Sequence, residues 1–219
     1  MRPTIEKTKN GLISLKGKMC DVSTSSSEIK LLENSWIKID PTSLRLAPEC
    51  FEELSELLES SPKKYELYTD GSAVPNPGRG GWAAVLYCNN KEEGNVQGNN
   101  PKCGNGKMEL MAVAKGLSLI PFGETATIWI DSKYVLETIG KGLCPPEGPK
   151  GWIEGWRKRS WIKKDGEAVK NLKEVKMLYE ALMGHCKEGS SLTFEWVKSH
   201  SGVEGNERAD QLANQARET

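Results

Sequence analysis

Residues 65–87 read YELYTDGSAVPNPGRGGWAAVLY, two apolar runs around a loop of glycine, proline, serine and asparagine. Strand-forming residues on both sides of such turn formers predict a β-hairpin with a long connection. The first run ends at Asp70. An aspartate before a glycine is commonly a turn residue, but the carboxyl ends of strands in open α/β sheets are also where ligands commonly bind. Both readings stand on this stretch alone.

Outward from the hairpin, KEEGNVQGNN predicts a weaker third strand around residues 94–97, and MELMAVAKGLSLI predicts a helix with Glu109, Ala112, Val113 and Gly116 on one face. TATIWID reads as a strand and SKYVLETIG as a helix. The tryptophan-rich stretch and VKNLKEVKMLYEALMGH add further helix, SLTFEWVKS is the last strand, and NERADQLANQA closes with an apolar stripe of Ala209, Leu212, Ala213 and Ala216. This order describes an α/β domain with a mixed sheet. The segment ESSPKKYE marks a boundary near residue 62. Residues 1–61 form an extension, either a small β-plus-helix module or a partly disordered one, with strand candidates in GLISLKGK and SWIKID and an acidic helix in APECFEELSELLES. Residues 62–219 form the main domain.

The 219 residues suffice for a packed core, and 30 basic against 30 acidic residues give no net charge to hold nucleic acid. The six cysteines are scattered without metal or disulfide spacing. No apolar leader or spanning segment is visible, so a soluble, cytoplasmic, monomeric protein is expected. Charge is nevertheless uneven. Between Lys150 and Lys164 lie six basic residues, one acidic residue and three tryptophans, a local stripe suited to phosphates.

Four carboxylates fall near element ends: Asp70 and Asp131 after strands, Glu109 at the opening of a helix, Asp210 near the start of the last helix. Each alone would be structural, as a turn, dipole partner or cap. Converging at one sheet edge, they would repel one another unless neutralised, and all-oxygen ligands suit magnesium or manganese.

Five segments, YTDGSAVPNPGRGGWAAVL, GKMELMAVAKGL, IWIDSKYVLETI, GWIEGWRKRSW and EWVKSHSGVEGNERADQLAN, stand in an order and spacing that resembles type 1 ribonuclease H, the family that cuts the RNA strand of RNA/DNA hybrids. The resemblance covers about residues 62–219. It implies an RNase H-like fold: a five-stranded mixed β-sheet flanked by helices, here with a small N-terminal extension. It further implies that Asp70, Glu109, Asp131 and Asp210 are catalytic residues holding two Mg2+ ions, with Mn2+ a substitute, and that hydrolysis leaves 5′-phosphate and 3′-hydroxyl ends. His200, in SHSGVEGNERAD, is implied to assist proton transfer or product release. His185 is assigned to structure or solvent. Substrate contacts are implied for Asn76 and Asn105, and for the basic handle Trp152, Trp156, Arg157, Lys158, Arg159, Lys163 and Lys164, in which both tryptophans pack inward. Lys133 stands where several relatives carry glutamine, so its contact would differ. The insertion GKGLCPPEGPK leaves the handle's position open, and residues 1–61, with eight basic and ten acidic residues, lack the basic pattern of a hybrid-binding module. A non-catalytic hybrid-binding protein on the same fold is the alternative. A DNA-cutting nuclease is disfavoured by the handle and the two asparagines.

Overall fold

The hairpin forms, but its strands are longer than the composition suggests. In the computed structural model, which describes residues 4–7, 13–16, 63–144 and 147–219, the chain divides into two units, Met1–Pro62 and Lys63–Thr219. In the first, β1 (Thr4–Lys7) pairs antiparallel with β2 (Ile13–Lys16), the latter inside the expected GLISLKGK strand. The SWIKID strand and the acidic helix lie outside the described residues.

In the second unit, β3 (Tyr65–Val74) pairs antiparallel with β4 (Gly78–Cys88) along its whole length, leaving only residues 75–77 as the connection. Glycine and proline here do not make a long loop, because Gly71, Gly78, Gly80 and Gly81 lie inside strands. Asn89 and Asn90, both at positive φ, then turn the chain into β5 (Lys91–Cys103). Two successive left-handed residues match the twist of a tight hairpin, so the expected weak strand extends over 13 residues. After α1 (Asn105–Gly116) come β6 (Thr125–Ile130), α2 (Lys133–Ile139), β7 (Gly142–Leu143), α3 (Trp152–Lys158), α4 (Leu172–Lys187), β8 (Ser191–Trp196) and α5 (Glu204–Glu218).

The sheet order is β5-β4-β3-β6-β8-β7, with β3, β6 and β8 parallel and the rest antiparallel. It is the expected RNase H-like mixed sheet with six strands instead of five. The extra strand is two residues of the insertion, which bond the free edge of β8 and thereby cover part of it. The insertion also closes on itself, since Gly151 N–H donates to the carbonyl of Ile139 at 2.8 Å. The chain therefore leaves α2 and returns to its end, and α3 rests against α2.

One face of the sheet carries the larger core, in which Leu67, Ile128, Ile130 and Phe194 meet Leu110, Val135, Ile153, Val175 and Leu178 from four helices. The other face carries α5, whose Ala209, Leu212 and Ala213 pack on Ala83 and Val85. Two glycines set how closely helices approach. A Cβ on Gly71 would collide with the backbone of Met108 in α1, and one on Gly81 with the carbonyl of Ala213 in α5.

Candidate active site

The parallel pairing of β3 with β6 ends at Thr69 and Ile130, and the next residue of each chain segment is an aspartate. Asp70 does not end its strand as expected from sequence; it sits inside β3, opposite Ala83, because the antiparallel partner continues where the parallel one stops. Asp131 does leave the end of β6. Glu109 is not at the opening of its helix, since α1 begins four residues earlier at Asn105, and the bare Gly71 lets that turn lie directly on β3. Asp210 lies in the second turn of α5, which begins at Glu204.

These four carboxylates line one open cavity of about 280 Å3, together with Ser72, Asn105, Ser132, Ser199, His200 and Asn206. Three of the four accept a neutral side-chain donor: Ser132 Oγ donates to Glu109 Oε2 at 2.6 Å, Ser199 Oγ to Asp131 Oδ2 at 2.6 Å, and Asn214 Nδ2 to Asp210 Oδ1 at 2.9 Å. Among the described residues no lysine or arginine forms an ion pair with any of the four. The charge is uncompensated. Burial, and then the charges of Asp131 and Asp210, push the Asp70 carboxyl up to about 7, against one stabilising bond from the Gly71 N–H. Burial also raises Glu109, with Asp131 adding to it and the Ser132 hydroxyl opposing it.

This donor set fits a hard divalent cation: oxygens only, excess negative charge, and neutral groups that orient the carboxylates without neutralising them. An unpartnered atom points the same way. Asn206 is 2% exposed, and its Oδ1 has no hydrogen-bond partner although the residue lines the cavity. A second group of ligand atoms, from His200, Glu207 and Asp210, lies within 4.8 Å of one another at the same site. His200 itself is exposed, at φ 51°, with Nδ1 4.0 Å from Glu207 Oε2.

The expected substrate residues divide. Asn105 lines the cavity, its Oδ1 accepting the Ala73 N–H at 2.8 Å, and Asn76 Oδ1 accepts the Asn105 N–H at 3.3 Å. Lys133 is the exposed first residue of α2 and does not line the cavity. In the handle only Trp156 packs inward; Trp152 is 46% exposed, correcting the expectation that both do. The two-turn α3 buries Ile153 and Trp156 as its inner line, so Trp152 sits at the rim against Trp156 and Tyr134, at ring separations of 6.0 and 6.4 Å. Lys158 pairs with Glu154 at 2.7 Å, Lys163 pairs with Glu167 and Asp165, and Arg157 lies 5.8 Å over the Tyr179 ring. Arg159 Nε donates to the carbonyl of Ile162, and Lys164 is exposed.

Sequence reasoning missed Ser72, Ser132, Ser199, Asn206, Glu207 and Asn214. Only Ser132 carried a local signal, as the residue ahead of a helix: its Oγ also accepts the Val135 N–H at 3.4 Å as N-cap.

The family model for RNase H matches residues 62–218. The chain belongs to the ribonuclease H family. Ribonuclease H of Erythrobacter litoralis is 37% identical over 154 residues, covering 70% of this chain and 96% of its own, and that of Gluconobacter oxydans is 36% identical over 165 residues, covering 75% and 99%. Ribonucleases H are nucleases that hydrolyse phosphodiester bonds. Among solved structures, LC9-RNase H1, a type 1 RNase H with the type 2 active-site motif, is similar with a TM-score of 0.56 at 22% identity, covering 72% of this chain and 73% of its own. A foamy viral protease-reverse transcriptase in complex with RNA/DNA hybrid is similar with a TM-score of 0.57 at 17% identity, covering 86% of this chain and 23% of its own. At those identities the likeness speaks for the ribonuclease H fold.

No described helix is long and apolar enough to cross a membrane.

Proposed function

We propose that this chain hydrolyses the RNA strand of RNA/DNA hybrids, leaving 5′-phosphate and 3′-hydroxyl ends. The observation that carries this is a carboxylate quartet, Asp70, Glu109, Asp131 and Asp210, lining one cavity of a ribonuclease H fold and, among the described residues, ion-paired with no lysine or arginine. Those four residues would hold two Mg2+ ions, or Mn2+, which when bound lower the pKa of an attacking water and stabilise charge on the leaving oxygen. Ser132, Ser199 and Asn214 keep the carboxylate oxygens aimed into the cavity through the bonds given above. His200, exposed at the cavity mouth and close to Glu207, takes up or releases a proton there.

Discrimination of RNA from DNA falls to groups that can bond a 2′-hydroxyl. The carbonyls of the Asn76 and Asn105 amides are engaged by backbone N–H groups, which leaves their NH2 donors for the substrate. Arg157, Arg159 and Lys164 contact phosphates of the duplex, whereas Lys158 and Lys163 must first leave their acidic partners.

The test compares labelled RNA/DNA hybrid, duplex RNA and duplex DNA, each with magnesium and with chelator. Cleavage of the hybrid's RNA strand, in magnesium only, is the expected outcome. Cleavage confined to duplex DNA, or unaffected by chelator, would overturn the reading.

A further inference from the structure

β3 continues past the carboxylate cavity. Asp70, Ser72 and Val74 alternate onto one side of the sheet, the side covered by α5, and the row ends in an exposed Val74. On β4, Gly80 faces Met108 and Gly81 faces α5, so Arg79 projects to the α5 side and lies opposite Val74. Helix α5 brings a second arginine to the same place. Asp210, Asn214 and Arg217 follow one another along a single stripe, with Asn214 bonded to Asp210 and Arg217 Nη1 donating to Ser72 Oγ at 3.0 Å. Gly81 makes this possible. Without a Cβ there, the backbone of α5 at Ala213 and Arg217 lies directly on β4, and the arginine side chain reaches across to β3.

The two arginines differ from their neighbours in their charge partners. Arg208 is paired with Glu92 at 3.3 Å and Lys107 with Glu174 at 3.4 Å, but neither Arg79 nor Arg217 forms an ion pair among the described residues. A guanidinium offers five donors in a planar fork matched to phosphate. Ser72 accepts from one Arg217 nitrogen. Ser72 also lines the carboxylate cavity, so the arginine site and the cavity share a wall. Two residues along a strand span about 6.6 Å, the scale of one nucleotide step.

We propose that Arg217, with Arg79, binds a backbone phosphate of the substrate strand next to the phosphate undergoing hydrolysis, continuing the substrate track along β3 towards the tip of the first hairpin. This rests on the hybrid-hydrolysis reading above. Phosphate is the occupant because the site is cationic and directly continuous with a cavity suited to a phosphodiester. The contact is blind to base and sugar, so it adds affinity and fixes where the strand lies without selecting RNA.

The test uses the full chain with Arg217→Gln, Arg79→Gln and both together. Glutamine at 217 keeps an amide able to bond Ser72 while removing the charge. Binding of a short fluorescent RNA/DNA hybrid and of duplex DNA is measured in chelator over a salt series, beside steady-state kinetics on the hybrid and thermal midpoints. Arg217→Gln should weaken binding of both duplexes by about tenfold and lower the slope of log K against log salt by up to about 0.9. KM should rise more than kcat falls. Arg217→Lys should recover the slope but not the full affinity, because a single ammonium lacks the fork. An unchanged slope and KM in the double variant would overturn the proposal. So would a loss confined to the thermal midpoint, which would make Arg217 a clamp between α5 and β3. If the unaltered protein bound both duplexes but failed to cut hybrid, the hydrolysis reading would fall, while a flattened slope in Arg217→Gln would still support the phosphate site.

Discussion

Asp70 is the residue on which burial and charge act most strongly in the cavity, its carboxyl lifted to about 7 by desolvation and by Asp131 and Asp210. A buried acid among three others has no structural use unless a cation offsets it. Replacing Asp70 with asparagine should therefore lower turnover by roughly 10²–10³-fold or more, with hybrid affinity largely retained. Near-normal cleavage would place the chemistry elsewhere. His200 stands differently, being exposed, with Nδ1 4.0 Å from Glu207 Oε2. His200→Ala should slow turnover by roughly 10²-fold or less without abolishing it, and single-turnover cleavage separates a proton-transfer defect from slow product release. His185 is the contrasting histidine. It is buried against Phe122, its Nε2 2.9 Å from the carbonyl of Leu117 and its Nδ1 3.0 Å from Ser190 Oγ. Since a carbonyl only accepts, Nε2 carries the proton and Nδ1 accepts the Ser190 hydroxyl. Burial lowers its pKa from 6.5, with the Leu117 carbonyl partly opposing. The fold thus favours the neutral ring: its contribution is present above pH 6.5 and is lost as pH falls through the folded-state pKa. Urea midpoints should fall between about pH 7.5 and pH 5, and the fall should shrink in His185→Gln. An identical pH profile in that variant would remove His185 from the account.

Among the elements, α3 and the turn after it show how a charge run can mislead. The stripe reads as a uniform basic handle, yet Lys158 and Lys163 are engaged with acids four residues away, and Arg157 lies over an aromatic ring. Exposed pairs of this kind are worth little, so they yield to phosphate, but they reduce the gain. Replacing Arg157 and Arg159 with alanine should flatten the salt dependence of hybrid binding by up to about 0.9 per lost contact. Lys158→Ala alone should change it less. Equal slopes for all variants would mean that the handle faces solvent. The two tryptophans illustrate a related limit. Spacing of four predicts one helix face, but α3 has only two turns, and the core beneath it is met by Ile153 and Trp156; Trp152 lies beyond its edge.

For the whole molecule, the family match begins at residue 62 and the second unit at Lys63. Every residue assigned here to chemistry or to substrate lies within that unit. A fragment beginning near residue 63 should fold and cleave hybrid with a specific activity within about threefold of the full chain, an expectation resting on the independence of domains with their own cores. A folded but inactive fragment would show that residues 1–62 complete the site or the substrate groove. Among the described residues, the larger core, with four helices on one face of the sheet, and the smaller one under α5 are both built from residues after 63.

Local pattern determined a good deal: the alternation of strands and helices, the mixed sheet, and the four carboxylates as a set, because periodicity and the order of short segments are properties of neighbouring residues. It misjudged where two of the carboxylates sit. Asp70 lies inside a strand because β4 pairs beyond the point where β6 stops, and Glu109 in a second turn because Gly104 and Asn105 open the helix early. The groups that orient the quartet were beyond its reach. Ser132 meets Glu109 across 23 positions of chain, Ser199 meets Asp131 across 68, and Arg217 meets Ser72 across 145. A serine or asparagine has no periodic signature, and its partner is chosen by how closely two elements pack. That closeness is decided where Gly71 and Gly81 leave room for a helix backbone. Sequence alone determined which side chains could do the chemistry; tertiary packing decided what holds them, because those contacts join residues that only the folded sheet makes neighbours.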